Sequence, residues 1–252
     1  MVLSSDYHTH TVFSHGKGEI IDNAMVAKSK GLVEIGISDH GFAHPAFGLT
    51  KRKLPKMRDL CDKASEQTGV KVLLGIESNI IGTDGKVDLS EKHYDSFDIF
   101  LAGIHKFVMY KLNSVFPLAL PDLFYATLKK SEVPKSLIKT NTKTFINVIK
   151  KNPVDVITHL NYGVKTDVKQ VAQAAKDYGV ILELNGKRIS MSDEEVMEIV
   201  NIGPKLIINS DAHSKERVGD FSVPLSLVER LGIDKKLIVN WNDVPQCQKR
   251  KK

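Results

Sequence analysis

Seven of the nine histidines in this 252-residue chain lie at or just past the ends of short apolar runs. The first run leads into Asp6-Tyr7-His8-Thr9-His10, with His15 just beyond in Ser14-His15-Gly16. Others end in Ser38-Asp39-His40, Gly103-Ile104-His105, Ile157-Thr158-His159 and Asn209-Ser210-Asp211-Ala212-His213. One more delivers a carboxylate, in Gly75-Ile76-Glu77. Residues two apart in an extended chain point to the same side, so His8 with His10, and Asp211 with His213, can each chelate one ion. Imidazole and carboxylate donors together suit Zn, Mn or Fe rather than Ca. The potential ligands are His8, His10, His15, His40, Glu77, His105, His159, Asp211 and His213. One zinc takes three or four, so the set implies two to three divalent metal ions with positions left for water and substrate. A lone strand-end histidine is more often a surface or hydrogen-bonded residue. Several strand ends supplying ligand types together carry far more weight. His93 falls outside the pattern and reads as a surface residue. His44, in His44-Pro45, reads as a solvated loop residue, with the mouth of the site as the alternative.

Such a set converges only if the elements carrying it do. Candidate strands are Val2 to His8, Val33 to Ser38, Val70 to Ile76, Ile99 to Ile104, Val154 to Thr158, Val180 to Leu184, Leu206 to Asn209 and Leu237 to Val239. They are rich in Val, Ile and Leu with little polar alternation, as strands covered on both faces are. Helix-length segments lie between them. Ile20 to Lys30 ends at Gly31, Leu54 to Gln67 starts near Pro55, Asp167 to Tyr178 precedes Gly179, and Ser192 to Asn201 opens on Ser-Asp-Glu-Glu. The alternation argues for a parallel sheet with helices outside, and the strand number favours closure into a (β/α) barrel over an open doubly wound sheet. Neither G-x-G-x-x-G after the first strand nor a P-loop signature is present. In a parallel barrel the C-terminal strand ends share one face, where active sites sit.

The rhythm breaks from Lys106 to about Ser136, where Pro117, Pro121 and Pro134 are mixed with Phe107, Tyr110, Phe116, Phe124 and Tyr125. The segment is too long and apolar for a plain loop and reads as a helical insertion, either beside His105 or packed elsewhere. A hairpin is expected at Asn79 to Val87, turning at Asp84-Gly85.

Composition sets the outer bounds. The chain is 42% hydrophobic and 26% charged, ordinary globular proportions for one barrel-sized domain over residues 1–252. No apolar run approaches the roughly 18 residues of a membrane helix. Two distant cysteines, Cys61 and Cys247, exclude a disulfide framework and suggest a reducing, cytoplasmic setting. The net charge of +6 raises nucleic acid as a partner. Lys249, Arg250, Lys251 and Lys252 carry four of those charges, however, in a polar tail from about residue 246 that is expected to be mobile.

Taken in order along the chain, these motifs resemble the PHP family, the polymerase-and-histidinol-phosphatase metal-dependent phosphoesterases. The residues that carry the resemblance are Asp6-Tyr7-His8-Thr9-His10-Thr11, Ser14-His15-Gly16, Ser38-Asp39-His40, Gly75-Ile76-Glu77, Gly103-Ile104-His105, Thr158-His159, Glu183-Leu184-Asn185 and Ser210-Asp211-Ala212-His213. The resemblance implies an α/β fold, a distorted (β/α)7 barrel of the PHP type, holding a trinuclear site in which Glu77 bridges two ions. It also implies hydrolysis of a phosphate ester, with histidinol phosphate one substrate among others. The insertion at 106–136 departs from the smaller stand-alone members and leaves the substrate open.

Glu77, His105, Asp211 and Asp39 are the candidate catalytic residues. The first three hold metal near the reacting water, and Asp39 either orients the His40 imidazole or braces a turn. Phosphate also needs donors, and Arg188, Arg217, Lys17 and Lys187 follow strand-end motifs on the same face. The arginines rank ahead because a guanidinium can fork onto phosphate while an ammonium is a point charge. The leading reading is a phosphatase for a small phosphorylated metabolite. The alternatives are a 3′-end nuclease, using basic residues such as Lys51-Arg52-Lys53, and a non-catalytic metal-binding module.

Overall fold

The computed structural model describes residues 3–128 and 132–246, with side chains left aside at 126–128. Residues 129–131 of the expected insertion and the basic tail beyond 246 lie outside it. Seven strands, β1 Ser5–Thr9, β2 Glu34–Ile37, β3 Lys71–Asn79, β4 Ile99–Gly103, β5 Val156–Ile157, β6 Ile181–Asn185 and β7 Leu206–Asn209, run parallel in sequence order. β7 returns to β1 through the Thr9–Ala212 bridge and the bond from His10 N–H to the Ala212 carbonyl at 2.8 Å, so the sheet is a nearly closed barrel. The helices are α1 Ile20–Ser29, α2 Leu54–Thr68, α3 Leu112–Ser114, α4 Leu120–Leu128, α5 Lys135–Lys151, α6 Val168–Tyr178, α7 Asp193–Ile202 and α8 Ser222–Leu231. α7 starts with the expected capping box, Ser192 and Glu195 each accepting from the other's backbone N–H.

The barrel interior is layered, and the layers follow from strand periodicity. A lower plug of Tyr7, Leu73, Ile99, Leu101, Val156, Ile181 and Ile207 is fully apolar apart from the Tyr7 hydroxyl, which reaches Glu34. Stepping two residues at a time toward the C-terminal ends turns this plug into chemistry. Leu73 leads past Gly75 to Glu77, Leu101 past Gly103 to His105, Ile181 to Glu183 and Asn185, and Ile207 to Asn209 and Asp211. Packing of the remaining apolar strand residues against the helices forms the larger core.

β1 needs an irregularity to join in. Tyr7 faces the plug, so a regular strand would point His8 and His10 the other way. The register runs from Asp6 opposite Ile35 to Thr9 opposite Ile37, one extra residue on β1. That bulge shifts the face and brings both imidazoles inside.

Three expectations need adjustment. Leu237 to Val239 is not an eighth strand: Lys235–Leu237 is a 3-10 turn and Ile238 makes a single bridge to Leu206. The Asn240 side chain occupies the seam instead, donating to Ser5 and Ile208 carbonyls at 2.9 and 2.8 Å and accepting from Ile208 N–H. β5 shortens to two residues because its continuation turns out of the ladder at His159. Lastly, α5 and α8 lack the sequence signals of the other long helices. In α5, Thr142 and Thr144 spend their hydroxyls on carbonyls one turn back.

The hairpin is present, with an antiparallel bridge between Ile80 and Val87. The insertion is helical: α3, a π-turn at Val115–Ala119 and α4 cross the barrel mouth beside His105. Among the described residues, no helix is long and apolar enough to cross a membrane.

Candidate metal centre

Glu77, fully buried at the end of β3, is the hub. Its Oε1 lies 3.2 Å from His8 Nε2, 3.1 Å from His105 Nε2 and 2.8 Å from His159 Nε2. Its Oε2 lies 3.0 Å from His40 Nδ1 and 3.7 Å from His10 Nε2. Asp211 is a second hub, with Oδ1 at 3.6 Å from His8 Nε2, 3.4 Å from His10 Nε2 and 3.3 Å from His213 Nδ1. Four groups have donor atoms mutually within 4.8 Å: His10–His40–His213, His8–His10–Asp211, His8–Glu77–His159 and His40–Glu77–His105. His15 stands apart from these groups on the exposed rim, its ring 4.5 Å from His213 and 5.4 Å from His40.

Whether the donors fit a metal can be judged from their unmet bonds. His8 Nε2, both nitrogens of His10 and of His105, and Glu77 Oε2 are buried without a hydrogen-bond partner. Buried polar atoms seldom go unpaired. Here the unpaired atoms gather in groups whose donors lie within 4.8 Å of one another, which suits cations between them. Strain agrees: His159 and Asp211 hold φ of 30° and 53°, a region that disfavours side chains with a Cβ. Gly103 makes room beside them, since a Cβ there would come 2.8 Å from His159 Cε1 and 2.4 Å from Thr158 Oγ1.

Burial and mutual charge set the protonation pattern. Burial alone would depress His8, but Glu77, Glu183 and Asp211 together raise its pKa well above 6.5. His159 is raised in the same way, its burial outweighed chiefly by Glu77. His10 goes the other way, pushed well down by burial and the neighbouring His40, and burial lowers His213 to about 4. Burial of Glu77 is more than offset by His105 and His8, and that of Asp211 by His8 and His10, so both carboxyls stay well below the ordinary range.

A supporting layer holds these groups in place, and much of it is invisible to a search for ligands. Glu183 accepts from His8 Nδ1 at 2.8 Å, from His159 N–H at 2.8 Å and from Asn209 at 3.0 Å. With Nδ1 so engaged, His8 turns Nε2 toward Glu77 and Asp211. Asn185 donates to Glu183 at 2.9 Å and to Asp211 at 3.2 Å, while its Oδ1 accepts from the N–H groups of Lys187 and Arg188. Asp6, completely buried, accepts from Ser210 and from Gly219 N–H, fixing the loop that carries Asp211. Asp6, Glu183 and Asn185 belong to the motifs that carry the family resemblance, and by residue type alone their signal is a polar side chain inside an apolar strand.

The other expected site residues divide. Asp39 accepts from Thr11 N–H at 2.8 Å, Thr11 Oγ1 at 2.6 Å and Ser14 Oγ. Its oxygens brace the loop after β1, as a turn carboxylate does, and make no bond to the His40 ring. Lys187 and Arg188 line the mouth of the histidine cluster. Arg217 does not. It is tied to Asp220 and to the Gly186 carbonyl at 3.5 Å. Lys17 is exposed and likewise not among the mouth residues, its loop being pinned by its own N–H to the His213 carbonyl. His44 lies at the mouth, its ring 6.4 Å from that of His40, with Nδ1 accepting from Phe47 N–H. His93 sits outside the cluster on the 3-10 turn Glu91–Ser96.

Beside the metal centre the insertion builds a chamber of about 440 Å³, bounded by His40, His105, Phe47, Tyr110, Leu120 and Tyr162. It also contains Asp122 of α4, whose carboxyl burial lifts from 3.8 to about 7 despite a bond from Asn141. A folded pKa above the unfolded one stabilises the fold fully below 3.8 and is lost as pH rises through about 7. Asp122→Asn should therefore stabilise the protein at about pH 8 by something approaching 4 kcal/mol, with the gain vanishing near pH 4. Thermal unfolding across that range checks this, and a gain that does not vary with pH would refute it.

Comparison with known proteins accords with the fold and with the order of motifs. The family profile of the PHP domain matches residues 6–193. A protein of Caldanaerobacter subterraneus subsp. tengcongensis named a probable phosphatase is 31% identical, across 94% of this chain and 87% of its own. One of Shewanella sp. strain MR-4 with the same designation is 32% identical, across 93% and 86%. Among solved structures, the histidinol phosphate phosphatase of Lactococcus lactis subsp. lactis, complexed with zinc, L-histidinol and phosphate, superposes with a TM-score of 0.64. That match covers 93% of this chain and 95% of the other at 13% identity, and so speaks to the fold. With a barrel of this order, histidines at its strand ends and relatives aligned along nearly its whole length, the chain belongs to the PHP domain family.

Proposed function

We propose that this protein is a metal-dependent phosphatase that hydrolyses a small phosphomonoester at the C-terminal mouth of its barrel. The observation that carries the proposal is the pair of carboxylate hubs, Glu77 and Asp211, each ringed by imidazoles, of which the inward nitrogens of His8, His10 and His105 are buried without a hydrogen-bond partner. His8, His10, Glu77 and Asp211 would hold one neighbourhood of two to three divalent ions, His40, His105, His159 and His213 completing the rest, with His15 joining from the rim. Zinc fits this donor set, and the Lactococcus relative's zinc supports it. When bound, such ions lower the pKa of water and neutralise phosphoryl oxygens.

The chain's own residues supply the remainder. Glu183 and Asn185 keep the His8 and Asp211 donor atoms in place. Lys187 and Arg188, at the cluster's mouth, are placed to meet phosphate oxygens, Arg188 by a fork and Lys187 by charge. The adjoining chamber has the size of a small-molecule site and would take the organic part of the ester. A nuclease would need a basic groove with stacking aromatics leading inward. Lys51–Lys53 is an exposed 3-10 turn whose Lys53 is tied to the Phe13 carbonyl, so the small-molecule reading is preferred.

The test pairs metal analysis of the purified protein with turnover of a phosphomonoester panel and of single-stranded DNA. Two to three ions per chain with turnover of small esters are expected. The double change Asp211→Ala, His213→Ala should lower both metal content and turnover to background. Undiminished turnover in that variant after metal loss would sink the proposal.

A further inference from the structure

Residues 112–128 of the insertion contain a single charged residue, Asp122, and two rows of every fourth residue run along them. Ser114, Leu118 and Asp122 form the inner row, and all three are buried. Ser114 Oγ accepts from Thr83 N–H at 3.1 Å and Asp122 accepts from Asn141 at 2.9 Å, so this row seats the insertion on the barrel. Leu112, Phe116 and Leu120 form the outer row, 88%, 77% and 48% exposed. Two residues along a helix are about 200° of rotation, which sets the rows on opposite sides. An α-helix also carries every fourth residue about 40° past a full turn, so a long row winds around its axis. The wider π-turn at Val115–Ala119, where Pro117 lacks an N–H, takes back part of that rotation. The outer row therefore stays on one face.

Phe107 and Met109, 70% and 62% exposed, precede the row. Phe107 and Leu120 both border the chamber beside His105, so the apolar surface is continuous with the barrel mouth. The five side chains present roughly 700 Å² together, taking about 150–250 Å² for a large side chain laid bare. Single exposed hydrophobics are common, but a patch of several hundred Å² marks an interaction site.

Shape, charge and area point to one occupant. A row spaced by four is the ridge that packs against an identical ridge in the commonest helix pairing. A two-fold axis brings such a row onto its own copy. The row carries no charge, so two chains of net charge +6 can meet there without like charges directly opposed. Its area is close to the roughly 800 Å² that each partner gives a stable interface. A membrane surface fits less well, because an interfacial helix sets Lys and Arg on the side away from its apolar face. Here that side is seated on the barrel through Ser114, Leu118 and Asp122.

We propose that two copies of this chain pair through the outer row of the insertion, related by a two-fold axis. Leu112 and Phe116 anchor the contact. Leu120 joins it to the chamber wall, so pairing braces the insertion over the barrel mouth. The pairing stands apart from the phosphatase reading, and its test reads no turnover.

Sedimentation equilibrium of the full chain should show a monomer–dimer equilibrium with a Kd of about 10 μM or tighter. Leu112→Glu with Phe116→Glu should weaken it by about 100-fold or more, each glutamate being buried against the other copy. Both positions are exposed in the single chain, so the fold should persist, which circular dichroism checks. The two changes also lower the net positive charge, so general repulsion cannot account for the loss. Met25→Glu, at a site 54% exposed on α1, should leave the equilibrium unchanged. Hydrogen exchange of the wild type above and below that Kd should slow across residues 107–120 in the dimer, which locates the contact without any variant. A wild type that stays monomeric well above that concentration overturns the proposal. So does a dimer that survives the double change, or exchange protection confined to other segments. Flotation with vesicles of phosphatidylcholine and phosphatidylglycerol tests the rival occupant. A monomer that binds them, and loses that binding in the double variant, overturns the pairing and gives the row to a membrane surface.

Discussion

Glu77→Gln is expected to lower kcat/KM by about 10³-fold, equivalent to roughly 4 kcal/mol of transition-state stabilisation, and to leave the protein short of metal. The substitution keeps the shape of the side chain and can keep the 3.0 Å bond from Thr158. What it removes is one anionic oxygen of the hub that lies within 3.2 Å of His8, His40, His105 and His159. The amide nitrogen that takes its place is a donor and cannot ligate a cation, so the groups sharing Glu77 fail together. Metal stoichiometry, kcat/KM and circular dichroism measured on the same preparation separate loss of the centre from loss of the fold. A folded variant that keeps its metal and its turnover would show that Glu77 is not the hub.

Stripping the metal with a chelator should abolish turnover, and restoring it should release about two protons per chain near pH 7. The two come from His8 and His159, whose pKa values the surrounding carboxylates raise in the metal-free chain. Each is stabilising fully below 6.5 and loses that contribution as pH rises through its folded value. His10 and His213 behave oppositely. Burial keeps them neutral, so they penalise the fold as pH falls below 6.5, for His213 down to about 4, and they have no proton to give up at neutrality. Apparent metal affinity should consequently fall by up to about 100-fold for each unit of acidification while both protons are being displaced. Calorimetry in buffers of different ionisation enthalpy counts the protons directly. Metal uptake with no proton release, or turnover that survives complete stripping, would contradict these assignments.

Much of the site could be read from residue types because a barrel interior treats polar groups harshly. A single carboxylate or imidazole closing a run such as Val72-Leu73-Leu74-Gly75-Ile76 says little, but several runs closing in such groups have few reasons to do so except a shared ligand. That logic finds Glu77, His105 and Asp211 as members of a set. It does not tell what Glu183 or Asp6 does, since their value lies in bonds to residues more than a hundred positions away: His8 for the first, Ser210 and Gly219 for the second. Cations were harder still. Arg188 and Arg217 both follow strand-end motifs, yet one lines the mouth and the other is held by an ion pair to Asp220 three residues on.

By itself the sequence determined the alternation of strands and helices, the parallel barrel and the identity of the groups at its strand ends, since periodicity and strand polarity are local properties. Only the tertiary structure decided that β1 carries a bulge turning His8 and His10 inward, that Asn240 fills the seam where an eighth strand seemed due, and that the insertion closes an apolar chamber over His105 with Asp122 inside. Each of these depends on which distant surfaces meet, and spacing along the chain carries no record of that.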